Sequence, residues 1–189
     1  MNIITRVINK YFDFQEEIGG LIYIETLVPD QMIHNQKKPR FEGALFWIAI
    51  DSTITISELE NLEKFYGFPI PESYKSFLQH RHFLELELGQ NSIGFFKSLP
   101  NSFIKDTKSE ISKYCGVLLE RGYIPFAKFS DAGILCFNTN QPKENNDYSI
   151  VSFDFEDDLE TPEEYDLNFE SMFLEFEENL DNWIKLKRK

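Results

Sequence analysis

Residues 56–79 read ISELENLEKFYGFPIPESYKSFLQ. Leu59, Leu62, Phe65 and Tyr66 recur at three- and four-residue steps, which puts them on one face of a helix. Ser57 and Glu60 have capping-box spacing, in which each side chain satisfies an exposed backbone N–H of the first turn. Gly67 follows as a left-handed stop. Pro69 and Pro71 punctuate the link, and Pro71 suits the first position of a second helix. Tyr74, Phe77 and Leu78 then face that helix's core side. The stretch predicts two short helices joined at a proline-containing corner.

Outward from this pair the pattern changes period. Phe83–Leu88 alternates in part and predicts a strand, and Gly89–Pro100 is turn-rich. Ile104, Ile111, Tyr114, Cys115 and Leu118 share one helical face within 102–119, with Gly122 beyond it. Ile124–Phe129, Ile134–Phe137 and Ile150–Phe155 read as strands of an antiparallel meander. Asp131-Ala132-Gly133 makes the first turn, and a polar loop over 141–148 makes the second. Phe169, Met172, Phe173, Phe176, Leu180, Trp183 and Ile184 form the stripe of a last helix whose other positions are strongly acidic. Upstream, Ile3–Phe12 predicts a helix ended by Gly19-Gly20. Leu21–Val28 and Phe41–Ile50 predict strands, separated by the polar, basic loop HNQKKPR at 34–40. Mixed helices and clustered strands imply an α+β fold, an antiparallel or mixed sheet packed with several helices. Residues 1–50 read as an N-terminal extension packed on the core, and 51–189 as the main domain.

The chain has 189 residues, 42% of them hydrophobic, enough for a real core and against general disorder. No apolar run reaches membrane-spanning length, and no basic segment leads into an apolar stretch at the start. These features predict a soluble, cytoplasmic protein. The formal net charge is −13, which argues against a broad phosphate footprint and so against nucleic acid as partner. The acidity is uneven. Residues 1–139 carry a net −3 and residues 140–189 a net −10. Asp154 to Asp181 holds 13 acidic residues and no Lys or Arg. Like charges held close destabilise a compact state. Either this is a solvated, solubilising face, or it meets a basic partner. The rival reading is a metal site built from Asp154, Glu156, Asp157, Asp158 and Glu160. An EF-hand loop needs a central glycine, and none occurs between Asp154 and Asp181, so no metal is expected.

The residue types able to carry chemistry read more simply as structure. Cys115 and Cys136 are isolated, without disulfide or zinc spacing. His80 and His82 flank Arg81 but lack a third ligand at a recognisable spacing. A helix cap, or a packed surface role for His82 beside Phe83, fits them better. Ser52 next to Asp51 has no nucleophile elbow and reads as a turn or cap. Gly19-Gly20 lacks the pattern of a phosphate loop. Trp47 and Trp183 sit in apolar patterns and read as core. No enzyme, metal or cofactor is predicted.

The order of these motifs resembles the SMI1/KNR4 family of the SUKH superfamily, from about Ile56 to Trp183. The family pattern has a helix bearing Glu, an LG end, and an LP-x-x-Y-x-x-F/L entry to the next helix. Leu59, Glu60 and Phe65, then Tyr66-Gly67, then Ile70-Pro71, Tyr74 and Phe77-Leu78 stand at those positions. GYIPFAKFSDAGILCFNT resembles the family hairpin at Pro125, Phe126, Ala127, Gly133 and Cys136. SIVSFDFEDD and NFESMFLEFEENL resemble the last strand and helix. The chain departs from the pattern where Gln79-His80-Arg81-His82 replaces an Asn-Gly-Gly, and the first 50 residues lie outside the common core.

The resemblance implies a non-catalytic binding protein. Bacterial relatives are immunity proteins against toxins, many of them nucleases, and other members are regulatory or interaction proteins. A basic toxin domain is then the expected partner, with no membrane involved. Asp157, Asp158, Glu160, Glu163 and Glu164 are the candidate partner-binding residues, displayed on a loop between the last strand and the last helix. His82 and Phe83 are candidates for a neighbouring surface. The alternative is a regulatory scaffold with a non-toxin partner.

Overall fold

The computed structural model describes residues 2–23, 28–38, 42–89, 93–114, 116–141 and 147–188. Helix α1 (Ile3–Glu17) starts at Asn2, whose side chain accepts from the Thr5 N–H at 2.9 Å. It buries Ile4, Val7, Ile8, Tyr11 and Phe14, so the apolar stripe runs past the predicted end at Phe12. Strand β1 (Leu21–Tyr23) pairs antiparallel with β2 (Leu45–Trp47). Residues 24–27 of the predicted Leu21–Val28 strand lie outside the described residues, as do Phe41, Cys115 and residues 142–146 of the predicted loop. The predicted Phe41–Ile50 strand divides into β2 and β3 (Ile50–Asp51), because the Ile48 N–H turns to the Met32 carbonyl (2.9 Å).

Helix α2 (Ile56–Tyr66) has its capping box at Thr55 and Glu58 rather than at Ser57 and Glu60. The backbone is extended at Thr55 (φ −88°, ψ 162°), and Ser57 already lies inside the first turn. Both pairs have the i, i+3 spacing, and the one at the extended-to-helical junction forms the box. Gly67 ends the helix with φ +78°. Helix α3 (Glu72–Leu78) begins one residue after Pro71, which caps it from an extended conformation. Glu63 secures the corner, accepting from the Ile70 N–H at 3.0 Å and pairing with Lys75 at 3.0 Å.

Strand β4 (Arg81–His82) pairs with β3. Next come β5 (Glu87–Leu88), β6 (Ile93–Phe95), α4 (Phe103–Tyr114) and α5 (Gly116–Glu120). Then follow β7 (Tyr123–Phe129), β8 (Gly133–Asn138), β9 (Ile150–Asp154), β10 (Glu163–Asp166) and α6 (Phe169–Lys187). Six strands form one sheet in the order β10-β9-β8-β7-β6-β5, with every neighbour antiparallel. The predicted meander is its centre. The protein is an α+β fold of antiparallel sheets and helices.

Phe169, the first residue of α6, sits where these layers meet. Its ring centroid lies 5.3 Å from Tyr74 and 5.5 Å from Phe77 on α3. It lies 5.7 Å from both Phe126 on β7 and Phe137 on β8. Most of these rings meet edge to face, the arrangement that aromatic quadrupoles favour. Asn168 caps α6 by accepting from the Ser171 N–H at 2.9 Å, which fixes where Phe169 enters.

Helices α1 and α6 lie side by side and run parallel. Arg6 pairs with Glu177 through two bonds (2.7 and 2.8 Å), Lys10 with Asp181 (2.6 Å) and Arg188 with Glu17 (2.6 Å). Each pair is offset by 171 residues. Between them Phe14 meets Trp183 edge to face at 4.9 Å. Phe169→Ala is expected to cost about 3–5 kcal/mol, and removing the exposed Arg6–Glu177 pair by Arg6→Ala is expected to cost far less. Urea unfolding midpoints check both, and equal losses would contradict the ranking.

Candidate partner-binding surface

The chain leaves β9 through a short acidic loop that the backbone holds closely. The Asp154 side chain accepts from the Glu156 N–H at 2.7 Å, and the Leu159 N–H returns to the Asp154 carbonyl at 3.0 Å. Asp158 and Leu159 adopt left-handed φ values of 49° and 60°, which turn the chain back. Leu159 is only 6% exposed and anchors the loop to the core. From the other side Arg121 clamps it. One guanidinium nitrogen donates to the Leu159 carbonyl and another to the Glu160 carbonyl at 2.7 Å. The same guanidinium lies 5.2 Å from the Phe153 ring centre and 5.7 Å from that of Tyr123. A delocalised cation suits this role, because it stacks on rings while its planar donors reach two carbonyls.

Asp157, Asp158 and Glu160 are exposed on this loop. Glu163 and Glu164, predicted to lie in a loop, instead open the edge strand β10, paired to β9 at Ser152 and Val151. Glu-Glu-Tyr-Asp carries no apolar alternation, so only the pairing to β9 reveals the strand. Charges on an edge strand also discourage strand addition by another copy. Successive strand residues point to opposite faces, so Glu163 and Glu164 diverge. Glu163 joins Asp157 in a depression of about 460 Å³ that Asp131 and Asp154 also line. Glu164 lies instead in a second depression, with Asp166 and Tyr165.

Asp131 was absent from the predicted site, yet the meander contains the signal for it. Gly133 opposes Asp154, so the β7–β8 turn must sit beside the exit of β9. Gly133 also has no room for a side chain, since a Cβ there would stand 2.8 Å from the Phe129 carbonyl oxygen.

The charge of the C-terminal third is thus divided. Glu177 and Asp181 on α6 are answered by Arg6 and Lys10. Glu177 is held below the usual carboxylate range, chiefly by its hydrogen bond to Arg6. Among the described residues, no ion pair reaches Asp157, Asp158, Glu160, Glu163 or Glu164.

His82 and Phe83 are placed differently from the prediction. Both are 1% exposed, so neither forms a surface. The His82 Nε2 accepts from the Thr53 N–H at 2.9 Å, and its Nδ1 lies 3.0 Å from the Ser98 hydroxyl. Phe83 packs on Phe77 and exchanges backbone hydrogen bonds with Ser98. Polar neighbours on the sequence concealed this burial. His80 reaches Asn9 at 2.9 Å, and Arg81 pairs with Asp51 at 2.6 Å. The Ser52 hydroxyl accepts from the Ile54 N–H at 3.3 Å, a local turn of the kind predicted, and donates to the distant Leu78 carbonyl at 2.8 Å. Trp47 is buried, and Trp183 is partly buried against Phe14. Among the described residues, no group of three or more His, Cys, Asp or Glu could hold a metal ion. No described helix is long and apolar enough to cross a membrane.

Residues 53–175 match the SMI1 / KNR4 family (SUKH-1), from the cap of α2 into α6. The chain belongs to the SMI1/KNR4 family. No curated protein matches it. With membership in the SMI1/KNR4 family comes a general role in protein binding of the immunity type. The matched segment contains the whole acidic loop and β10, and it stops before Glu177 and Asp181.

Burial holds the His82 imidazole below its ordinary pKa of 6.5. Protonation would also set a ring N–H against the Thr53 N–H. As pH falls, the unfolded chain binds the proton first. This contribution to stability is therefore complete above pH 6.5 and is lost as pH drops through the lower folded value. His80 is held low as well, mainly by burial and then by Arg81. In a His80→Asn background, His82→Gln is expected to cost about 1–3 kcal/mol at neutral pH and to flatten the fall in stability below pH 6.5. Urea unfolding across pH 5–8 tests this, and an equally steep fall in the variant would contradict it.

Proposed function

We propose that this SMI1/KNR4-family chain is a cytoplasmic immunity protein. In this reading it neutralises a cognate bacterial toxin, such as a nuclease, by covering that toxin's basic surface. The observation that carries the reading is a loop clamped by Arg121 and Leu159 whose exposed carboxylates meet no ion pair among the described residues. A nuclease collects Lys and Arg where it holds phosphates. Carboxylates arrayed opposite those cations steer the encounter, and they form charge-assisted hydrogen bonds once water is displaced. A loop already held in one conformation loses little entropy on binding. Inhibition is then electrostatic and steric, with no bond made or broken.

On this reading a neighbouring gene encodes a secreted toxin with a basic C-terminal domain. Co-expression and pull-down with that domain should recover a complex and suppress its activity. Reversal of Asp157, Asp158 and Glu160 to Lys should weaken association about 10- to 100-fold, with the larger loss at low salt. Isothermal titration at two ionic strengths measures it. Unchanged affinity would remove the acidic loop from the interface. A stable complex that leaves the toxin active would favour a scaffold role instead.

A further inference from the structure

Strand β5 ends the six-stranded sheet, so among the described residues one of its sides meets no further strand. The Phe95 N–H on β6 donates to the Leu86 carbonyl at 3.0 Å, and Leu88 stands opposite Ile93. Antiparallel pairing alternates, so residues 86 and 88 turn their main-chain groups toward β6 and Glu87 turns its N–H away from the sheet. An outward N–H on an edge strand is a template for pairing with another chain. In this fold α1 covers it. The Tyr11 hydroxyl accepts from the Glu87 main chain and also hydrogen-bonds to the Gln15 side chain, one turn further along α1. Tyr11 and Glu87 share the wall of a depression of about 440 Å³ with Leu88, Phe176 and Trp183, where α1, β5 and α6 converge.

The two ends of the sheet are defended differently. Strand β10 carries the exposed Glu163 and Glu164, whereas β5 carries one exposed carboxylate, Glu87, beside the buried Leu88. The cover over β5 comes from outside the family core, since α1 precedes the matched residues 53–175 and β5 lies within them. The buried stripe of α1 holds it there, with its ion pairs to α6 and the contact of Asn9 with His80 at 2.9 Å.

We propose that α1 is an edge guard that keeps this chain monomeric. Tyr11 occupies the main-chain donor on which β5 of a second copy would otherwise pair, antiparallel across a two-fold axis. The guard lies at the opposite end of the sheet from β10 and does not rest on the proposed toxin partner.

Amide hydrogen exchange and sedimentation velocity of the full chain test it. The wild-type chain should sediment as a monomer. Tyr11→Phe removes only the hydroxyl, so the Glu87 amide should exchange at least about tenfold faster, while that of Leu88, which faces β6, is unchanged. Tyr11→Ala uncovers the edge, and a concentration-dependent dimer should appear, stronger at high salt because Glu87 of both copies meet. Tyr11→Leu, which keeps the apolar packing, carries the same expectation if Tyr11→Ala does not fold. Adding Glu87→Pro removes the outward N–H and leaves the ladder to β6 intact, so it should restore the monomer. Unchanged Glu87 exchange in Tyr11→Phe, a folded Tyr11→Ala or Tyr11→Leu chain that stays monomeric, association that survives Glu87→Pro, or a wild-type dimer that Glu87→Pro dissociates overturns the proposal.

Discussion

The packing of one ring, Phe169, sets the geometry on which the rest of the structure depends. It joins α3, two central strands and α6 at one point. Aromatic side chains bury large areas and meet in preferred orientations, so a cluster of them specifies the crossing of the elements it links. Because Phe169 begins α6 and Asn168 caps it, the sheet edge must deliver the chain to that position. Asp166 assists by accepting from the Leu167 N–H and the Ser171 hydroxyl. The segment from Asp154 to Asp166 is therefore held at both ends, by β9 and by the entry to α6, and at its middle by Leu159 and Arg121.

That arrangement explains how the protein carries a net −13 without dispersing it evenly. The carboxylates nearest the C-terminus meet cations from the N-terminus, in a parallel helix pair with a constant offset. Exposed pairs of this kind contribute little each, but they remove repulsion along α6. Among the described residues, the loop before β10 has no such compensation. A set of like charges fixed by a core anchor and an arginine clamp costs folding free energy, and the basic partner proposed above would offset that cost.

Much of this was legible before the structure. The α6 stripe and the three-strand meander have strong, unbroken periodicity, and burial follows periodicity closely. The α2–α3 corner was legible for the same reason, although its capping box lay two residues upstream because two i, i+3 pairs competed for one junction. What failed was long-range or non-periodic. Strand β10 is Glu-Glu-Tyr-Asp and is a strand only because β9 lies beside it. His82 and Phe83 follow Gln-His-Arg and read as surface, yet the β3–β4 ribbon and Ser98 cover them. Asp131 entered the site through sheet register, and the pairing of Arg6 with Glu177 spans nearly the whole chain. No local window contains either fact.

On the proposed reading, the clamped acidic loop is the surface that meets a basic partner. Amide hydrogen exchange, compared between the free protein and its complex with the toxin domain, tests it most directly. The account predicts slow exchange at Leu159 and Glu160 in the free protein, and new protection on binding concentrated over residues 154–166 and the β7–β8 turn. Protection confined to other surfaces, with exchange over residues 154–166 unchanged, would contradict it.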